Sequence, residues 1–223
     1  MTIYIAGSEE AGRGPIIGPM VMVVGAVEKD KESLLKEFGV KDSKLLSPEQ
    51  REKIFLKLKK IMVYELKILL PKDIDAAVSS IGGMNLNWLE ARTTVELINK
   101  LSERVEIEKV IVDCPSNNIN VYNDMISHNI NNKNIKIVSE HKADVKYPIV
   151  SACSIIAKVI RDHEIEKIKK KYNVDFGSGY PSDPKTIEFV EKNWDKYNFF
   201  RKSWETYKKY PKMKVQKGLS EFQ

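Results

Sequence analysis

Ile3-Tyr4-Ile5-Ala6-Gly7-Ser8-Glu9-Glu10-Ala11-Gly12-Arg13-Gly14-Pro15 opens as a strand and closes as a glycine-flanked turn. The apolar start reads as β structure, and two neighbouring acids end it. Adjacent carboxylates repel each other and cost free energy unless a cation or proton compensates them. Divalent metal ions need such a carboxylate cluster. The Gly12-Arg13-Gly14 turn lets backbone N–H groups and a guanidinium come close to a phosphate or sugar. The combination points to a metal site beside a nucleic-acid backbone.

The next apolar run, Ile16–Val27, is joined to the first by only a few residues, so the two form a hairpin. Further strands are expected at Ile61–Leu70, Val105–Asp113 and Ile135–Glu140. Leu86, Leu89, Leu97, Ile98 and Leu101 space out an amphipathic helix over Leu86–Arg104. Pro148 sits where a first helical turn begins, and Ile149, Cys153, Ile156 and Ile160 make one apolar face after it. Gly177-Ser178-Gly179-Tyr180-Pro181 is a rigid loop, and Pro184 opens another helix. Strands first, then strands interleaved with helices, describe an α/β layered domain with a mixed sheet.

The 223 residues, 42% hydrophobic, suffice for one large domain with a small extension. The organisation expected is a catalytic domain over 1–172, a helical extension over 173–207 with two of the three tryptophans, and a flexible basic tail over 208–223. A net charge of +6 favours an anionic partner without identifying it. Cys114 and Cys153 lack metal-ligand spacing and read as small apolar residues in a reducing compartment. With no leader-like start and no membrane-length apolar run, a cytoplasmic protein with no membrane partner is expected, as a monomer.

Asp113 closes the apolar run Val110-Ile111-Val112, and Asp144 follows the Ile135–Val138 run by a few residues. Acids at the carboxyl ends of buried strands lie where α/β sheets place ligands. Glu9, Glu10, Asp113 and Asp144 can therefore converge on one edge of the sheet and hold two Mg²⁺ or Mn²⁺ ions, hard cations that prefer oxygen ligands. The plain alternative is solvated loop acids. Successive strand residues also face opposite sides, so Glu9 and Glu10 share a site only if the backbone turns there. Gly12, Gly14 and Gly18 superficially match a dinucleotide loop, but that motif must open a helix, and here a strand-like run follows.

At this point the sequence resembles the ribonuclease HII (type 2 ribonuclease H) family, most closely its archaeal branch. The matching stretches are Glu10–Pro15 with Gly18-Pro19-Met20, Lys41-Asp42-Ser43-Lys44, Val112-Asp113-Cys114 and His141-Lys142-Ala143-Asp144. Val150–Lys158 with Arg161-Asp162, Gly177–Pro184 and Ser203-Trp204 continue the match in family order. The resemblance implies an RNase H-like fold, a mixed sheet flanked by helices with a helical C-terminal extension. It implies endonucleolytic cleavage of the RNA strand of RNA–DNA hybrids and of single ribonucleotides embedded in duplex DNA. Glu9, Glu10, Asp113 and Asp144 then hold two metal ions, and products carry 3′-hydroxyl and 5′-phosphate ends. Gly12, Arg13 and Gly14 read the ribose 2′-OH, with Tyr180 against the same sugar. Ser43 and Lys44 contact phosphates, and Lys158 and Arg161, with Ser151 and Ser154, line the groove; an ordinary polar helix face is the alternative for these last. His141 has at most an orienting role.

Two features stand apart. The family begins its site with aspartate-glutamate, whereas Glu9 stands here, one methylene longer, and Ser8 is polar where an apolar residue is usual. Since about 1 Å of displacement of a catalytic group can cost on the order of 100-fold in rate, either the backbone compensates, metal preference shifts toward Mn²⁺, or the enzyme is slow. A nucleic-acid-binding module with a weakened site is the alternative function; a nuclease acting on DNA alone is disfavoured by Arg13 and Tyr180. The C-terminal Gln216-Lys217-Gly218-Leu219-Ser220-Glu221-Phe222-Gln223 resembles a sliding-clamp docking peptide, with Gln216, Leu219 and Phe222 as contacts and Gln223 replacing a second aromatic.

Overall fold

The computed structural model describes residues 2–40, 43–79 and 85–211. Along the chain run β1 (Ile3–Ala11), β2 (Met20–Glu28), α1 (Glu32–Glu37), α2 (Pro48–Leu58), β3 (Met62–Leu69), α3 (Pro71–Ser79) and α4 (Leu86–Ser102). Then follow β4 (Glu106–Asp113), α5 (Ile119–Asn129), β5 (Lys136–Glu140), α6 (Ala143–Lys146), α7 (Pro148–Tyr172) and α8 (Pro184–Asn193). The strands form one sheet in the order β3-β2-β1-β4-β5. β1 runs antiparallel to β2 and parallel to β4, which is parallel to β5. The expected mixed α/β sheet is therefore present, with β1 at its centre. No helix among the described residues is long and apolar enough to cross a membrane.

The chain divides into two compact units. The first comprises residues up to Ala11, Val21–Ile68 and Asn87–Asp162. Its core joins β1 and β2 to the first half of α7, where Ile149, Val150, Cys153, Ile155, Ile156 and Val159 are all buried. The single apolar face read from the sequence understates this helix, which buries more than one side. Gly7 explains the close fit: a Cβ there would stand 2.9 Å from the backbone of Ile149 and Val150. Only hydrogen fits, so the first turn of α7 rests directly on β1. Cys153 Sγ donates to the Gly7 carbonyl at 3.2 Å, and burial pushes its thiol up to about 12, a packing group rather than a nucleophile.

The second unit comprises Gly12–Met20, Leu69–Leu86 and the chain from His163 onward. It corrects one boundary. The run Ile16–Val27 is not one strand, because β2 begins only at Met20. Gly18 has φ +85°, left-handed backbone, and Pro19 has no N–H to donate to a ladder. Ile16 and Ile17 instead enter an apolar cluster with Phe176, Val190, Phe199 and Phe200, and Ile17 makes an isolated antiparallel bridge to Phe200. Tyr197 stacks on Phe199 at 4.8 Å between ring centres, and Tyr172 meets Phe199 edge-on at 5.1 Å. A helical stretch over 205–211 follows.

Candidate active site

Glu9 and Glu10 lie inside β1, which continues in register through Ala11, opposite Val21. No turn separates them, so their side chains leave opposite faces of the strand. Asp113 is the last residue of β4, opposite Glu140 of β5. Beyond β5 the chain reverses through Lys142, in the left-handed region at φ 57°, and enters the single turn of α6 that carries Asp144. Two bonds fix that arrangement. The Ala143 N–H donates to Asp113 Oδ1 at 2.6 Å, and Ser151 Oγ, from the first turn of α7, donates to the Asp144 carbonyl.

Glu9 is 8% exposed, and its Oε2 has no hydrogen-bond partner. Its carboxyl is held well above the usual carboxylate range, first by burial and then by the charges of Glu10, Asp113 and Asp144. Glu10, Asp113 and Asp144 are thus all within electrostatic reach of Glu9. Among the described residues no three of them stand at metal-ligand spacing. A buried carboxylate oxygen without a partner costs about 1–3 kcal/mol or more, and a divalent cation beside Glu9 offsets both that cost and the mutual repulsion. An all-oxygen donor set fits Mg²⁺ or Mn²⁺.

On the other face of β1, Ser8 Oγ lies 3.5 Å from Thr94 Oγ1 of α4. Glu90 of the same helix is wholly buried. The Tyr122 phenol is pushed up by burial, then by the charges of Glu90 and Glu10. Sequence reading missed this polar layer. The signal was there: Glu90 follows Leu86 by four and precedes Leu97 by seven, on the helix's core-facing stripe.

In the second unit, two loops predicted to read substrate are joined. The Ile16 and Ile17 N–H groups donate to the Gly179 carbonyl at 2.9 and 3.3 Å. Gly14 is exposed, and a Cβ placed on it would stand 3.9 Å from the Tyr180 ring. Tyr180 itself is half-buried. Its loop is tied down by Asp183, whose carboxylate accepts from the N–H groups of Ser178 and Lys185 at 2.7 and 3.0 Å. Gly179 N–H donates to Thr186 Oγ1, which in turn donates to the Phe176 carbonyl.

The family model for ribonuclease HII matches residues 6–207. The Pyrococcus abyssi ribonuclease HII is 46% identical over 213 residues, 92% of this chain and 90% of that protein. The chain belongs to the ribonuclease HII family. It is accordingly a type 2 ribonuclease H, an endoribonuclease. The crystal structure of ribonuclease H2 from Pyrococcus horikoshii OT3 superposes with a TM-score of 0.83 at 42% identity, covering 94% of this chain and 98% of that one. The ribonuclease HII in the PCNA:RNase HII complex from Archaeoglobus fulgidus gives a TM-score of 0.80 at 36% identity, covering 91% and 94%.

The remaining predicted contacts of this chain lie along α7 and its neighbours. Ser43 Oγ is buried, 3.0 Å from Ser154 Oγ. Arg51 of α2 holds the Ser43 and Leu46 carbonyls at 3.1 and 2.7 Å and reaches Asp162 at 3.3 Å. Lys158 pairs with Asp162 at 2.8 Å. Arg161 is only 2% exposed, its guanidinium 3.7 Å from Asp162, so it lies inside the fold rather than on an open groove. The Lys44 side chain and the segment bearing Gln216, Leu219 and Phe222 fall outside the described residues. His141 Nδ1 meets the Cys114 carbonyl at 3.0 Å, an orienting contact.

Proposed function

We propose that this protein hydrolyses the RNA strand of RNA–DNA hybrids and single ribonucleotides embedded in duplex DNA, leaving 3′-hydroxyl and 5′-phosphate ends. The observation that carries the reading is the buried Glu9 carboxylate, one oxygen unpartnered, under the charge of Glu10, Asp113 and Asp144. Those four acids are assigned as the ligands of two divalent ions, Mg²⁺ or Mn²⁺. When bound, such ions lower the pKa of an attacking water and stabilise the departing oxygen.

The protein's own part is to hold the ligands and choose the substrate. The Asp113 carboxylate is kept in place by the Ala143 N–H, and the backbone that carries Asp144 by Ser151, so the frame of both acids is set before charge arrives. Gly12, Arg13 and Gly14 are assigned to the ribose 2′-OH, and Tyr180, leaning over Gly14, to the same sugar. Lys158, Ser43 and Lys44 are assigned to phosphates, with Arg161 supporting that surface through Asp162. Gln216, Leu219 and Phe222 are proposed to dock on a sliding clamp; the complex of the Archaeoglobus fulgidus relative with PCNA supports the partner class.

The test is cleavage of a duplex carrying one ribonucleotide, with and without Mn²⁺, beside an all-DNA control. Metal-dependent cuts at the ribonucleotide alone are expected. Tight binding with no cleavage under either ion establishes the weakened binding module instead, and cutting of the all-DNA duplex removes the ribose-reading assignment.

A further inference from the structure

Arg201 is a fully buried arginine in the second unit. Its backbone is set by the short pairing that aligns 199–201 with 16–18: Gly18 N–H donates to the Phe199 carbonyl, and Arg201 N–H to the Ile16 carbonyl, both at 2.9 Å. The aromatic cluster around Phe199 and Phe200 packs that ribbon together with Ile16 and Ile17. From there the guanidinium uses each of its nitrogens on the predicted substrate loop. Nη2 donates to the Gly12 carbonyl at 2.6 Å, Nη1 to the Arg13 carbonyl at 2.9 Å and Nε to the Gly18 carbonyl at 2.9 Å. Trp204 Nε1 takes the Gly14 carbonyl at 3.2 Å, while its ring covers the guanidinium at 5.0 Å. Asp75 secures the segment between them, accepting from the N–H groups of Lys202 and Ser203 and from Ser203 Oγ.

The consequence is directional. In a planar trans peptide the C=O and the following N–H point opposite ways, and no cis bond occurs among the described residues. Four carbonyls, of Gly12, Arg13, Gly14 and Gly18, are drawn to Arg201 and Trp204. The peptides after Gly14 and Gly18 end in Pro15 and Pro19, which have no N–H. The other two aim the N–H groups of Arg13 and Gly14 away from the buried cation.

We infer that Arg201, with Trp204, is a positioning residue that turns the loop's acceptors inward and its donors, the Arg13 and Gly14 N–H groups, toward the ribose. The inference rests on the assignment of that loop to the 2′-OH. A lysine offers no planar fork and cannot span three carbonyls.

The experiment is steady-state kinetics on a DNA duplex carrying one ribonucleotide, with the all-DNA duplex of the same sequence as competitive inhibitor, for the unsubstituted protein, Arg201→Lys and Trp204→Phe. The ratio of the inhibitor's Ki to the substrate's KM measures how strongly the 2′-OH is read. Arg201→Lys is expected to raise KM about tenfold with Ki unchanged, the scale of one charge-assisted hydrogen bond. Trp204→Phe, which keeps an aromatic ring beside the guanidinium but loses the N–H and the pyrrole half of the indole, is expected to raise KM about threefold in the same pattern, and it serves if Arg201→Lys fails to fold. A role in stability alone lowers apparent kcat through loss of folded enzyme and leaves the ratio as it was; that result in Trp204→Phe overturns the inference. Equal Ki and KM in the unsubstituted protein removes the ribose-reading assignment itself, and the inference with it.

Discussion

Ala143 donates its backbone N–H to Asp113 Oδ1 across 2.6 Å, which fastens the end of β4 to the helical turn that presents Asp144. One oxygen of Asp113 is thus used structurally. Asp113→Asn keeps an oxygen acceptor for that bond and removes the charge. Cleavage is expected to fall by about 100-fold or more, as when a single electrostatic group is lost from a site, with the melting temperature unchanged or higher. Asp113→Ala loses the acceptor too and is expected to cost about 1–2 kcal/mol of stability. Parallel cleavage assays and thermal melts decide; a destabilised Asp113→Asn variant with normal turnover contradicts the assignment.

The ionised form of Glu9 is disfavoured in the metal-free fold, through burial first and three neighbouring acids after it. Glu9→Gln removes the charge at nearly constant volume. The metal-free variant is expected to melt higher, by about 2–4 °C for each kcal/mol of repulsion relieved. Added Mn²⁺ should then raise the melting temperature of the unsubstituted protein, which gains a ligand bound only by the native state, and raise that of the variant far less. A full Mn²⁺ shift in Glu9→Gln argues that the ion is held elsewhere.

The length of Glu9 is tested separately by Glu9→Asp. A carboxylate one methylene shorter moves its oxygens by about 1 Å, enough to matter where reacting groups must align. Turnover under Mg²⁺ is expected to rise relative to turnover under Mn²⁺. Identical rates under both ions before and after the substitution remove any catalytic meaning from the extra methylene.

How much of this was legible beforehand depended on the kind of signal. The sheet followed from apolar runs ending at Glu9, Asp113 and Glu140; burial on both faces writes such a run in the middle of β1 and at the end of β4, while β5 alternates. The four acids stood out as candidates because strand ends place ligands; Glu10, Asp113 and Asp144 do act electrostatically on Glu9, although Glu9 and Glu10 lie within β1 and not at its end. The course of residues 12–19 was not: Ile16 and Ile17 look like strand residues, and only their burial against Phe199 and Phe200, after Gly18 turns left-handed, explains their composition. Arg201 was equally hidden. An arginine between Phe200 and Lys202 reads as surface charge, and nothing local shows that it will be buried beneath three carbonyls contributed by residues more than 180 positions earlier. The backbone turn expected near Glu9 and Glu10 comes only after Ala11, at the left-handed Gly12, so the two acids leave opposite faces of β1, and Glu10 still acts electrostatically on Glu9.

At Gly7 the first turn of α7 rests directly on β1. A methyl group there meets backbone atoms of Ile149 and Val150 at 2.9 Å, and backbone cannot rotate away as a side chain can. Gly7→Ala is expected to cost about 1–3 kcal/mol, measured as a lower urea midpoint at unchanged slope. Gly14→Ala, whose new Cβ makes only an ordinary van der Waals contact with Tyr180 at 3.9 Å, is the control and should leave the midpoint in place. Equal midpoints for both variants mean that the helix slides to make room.

The Tyr180 loop carries its own pH dependence. Asp175 is held down to about 2, chiefly by the Lys185 ammonium and then by the Gly177 N–H, and Asp183 is held low by the Ser178 N–H and hydroxyl. Both carboxyls titrate lower in the folded loop than in an unfolded chain. Their contribution is therefore fully present above the ordinary carboxylate value of 3.8 and is lost as pH falls through the folded value, about 2 for Asp175. Near neutral pH the loop should be indifferent to pH. Between about pH 4 and pH 2 the protection of the Gly177 and Ser178 amide protons against hydrogen exchange should fall, and Asp183→Asn should lower the Ser178 protection already at neutral pH. Protection that declines instead between about pH 7 and pH 5 points to a histidine, not to these aspartates.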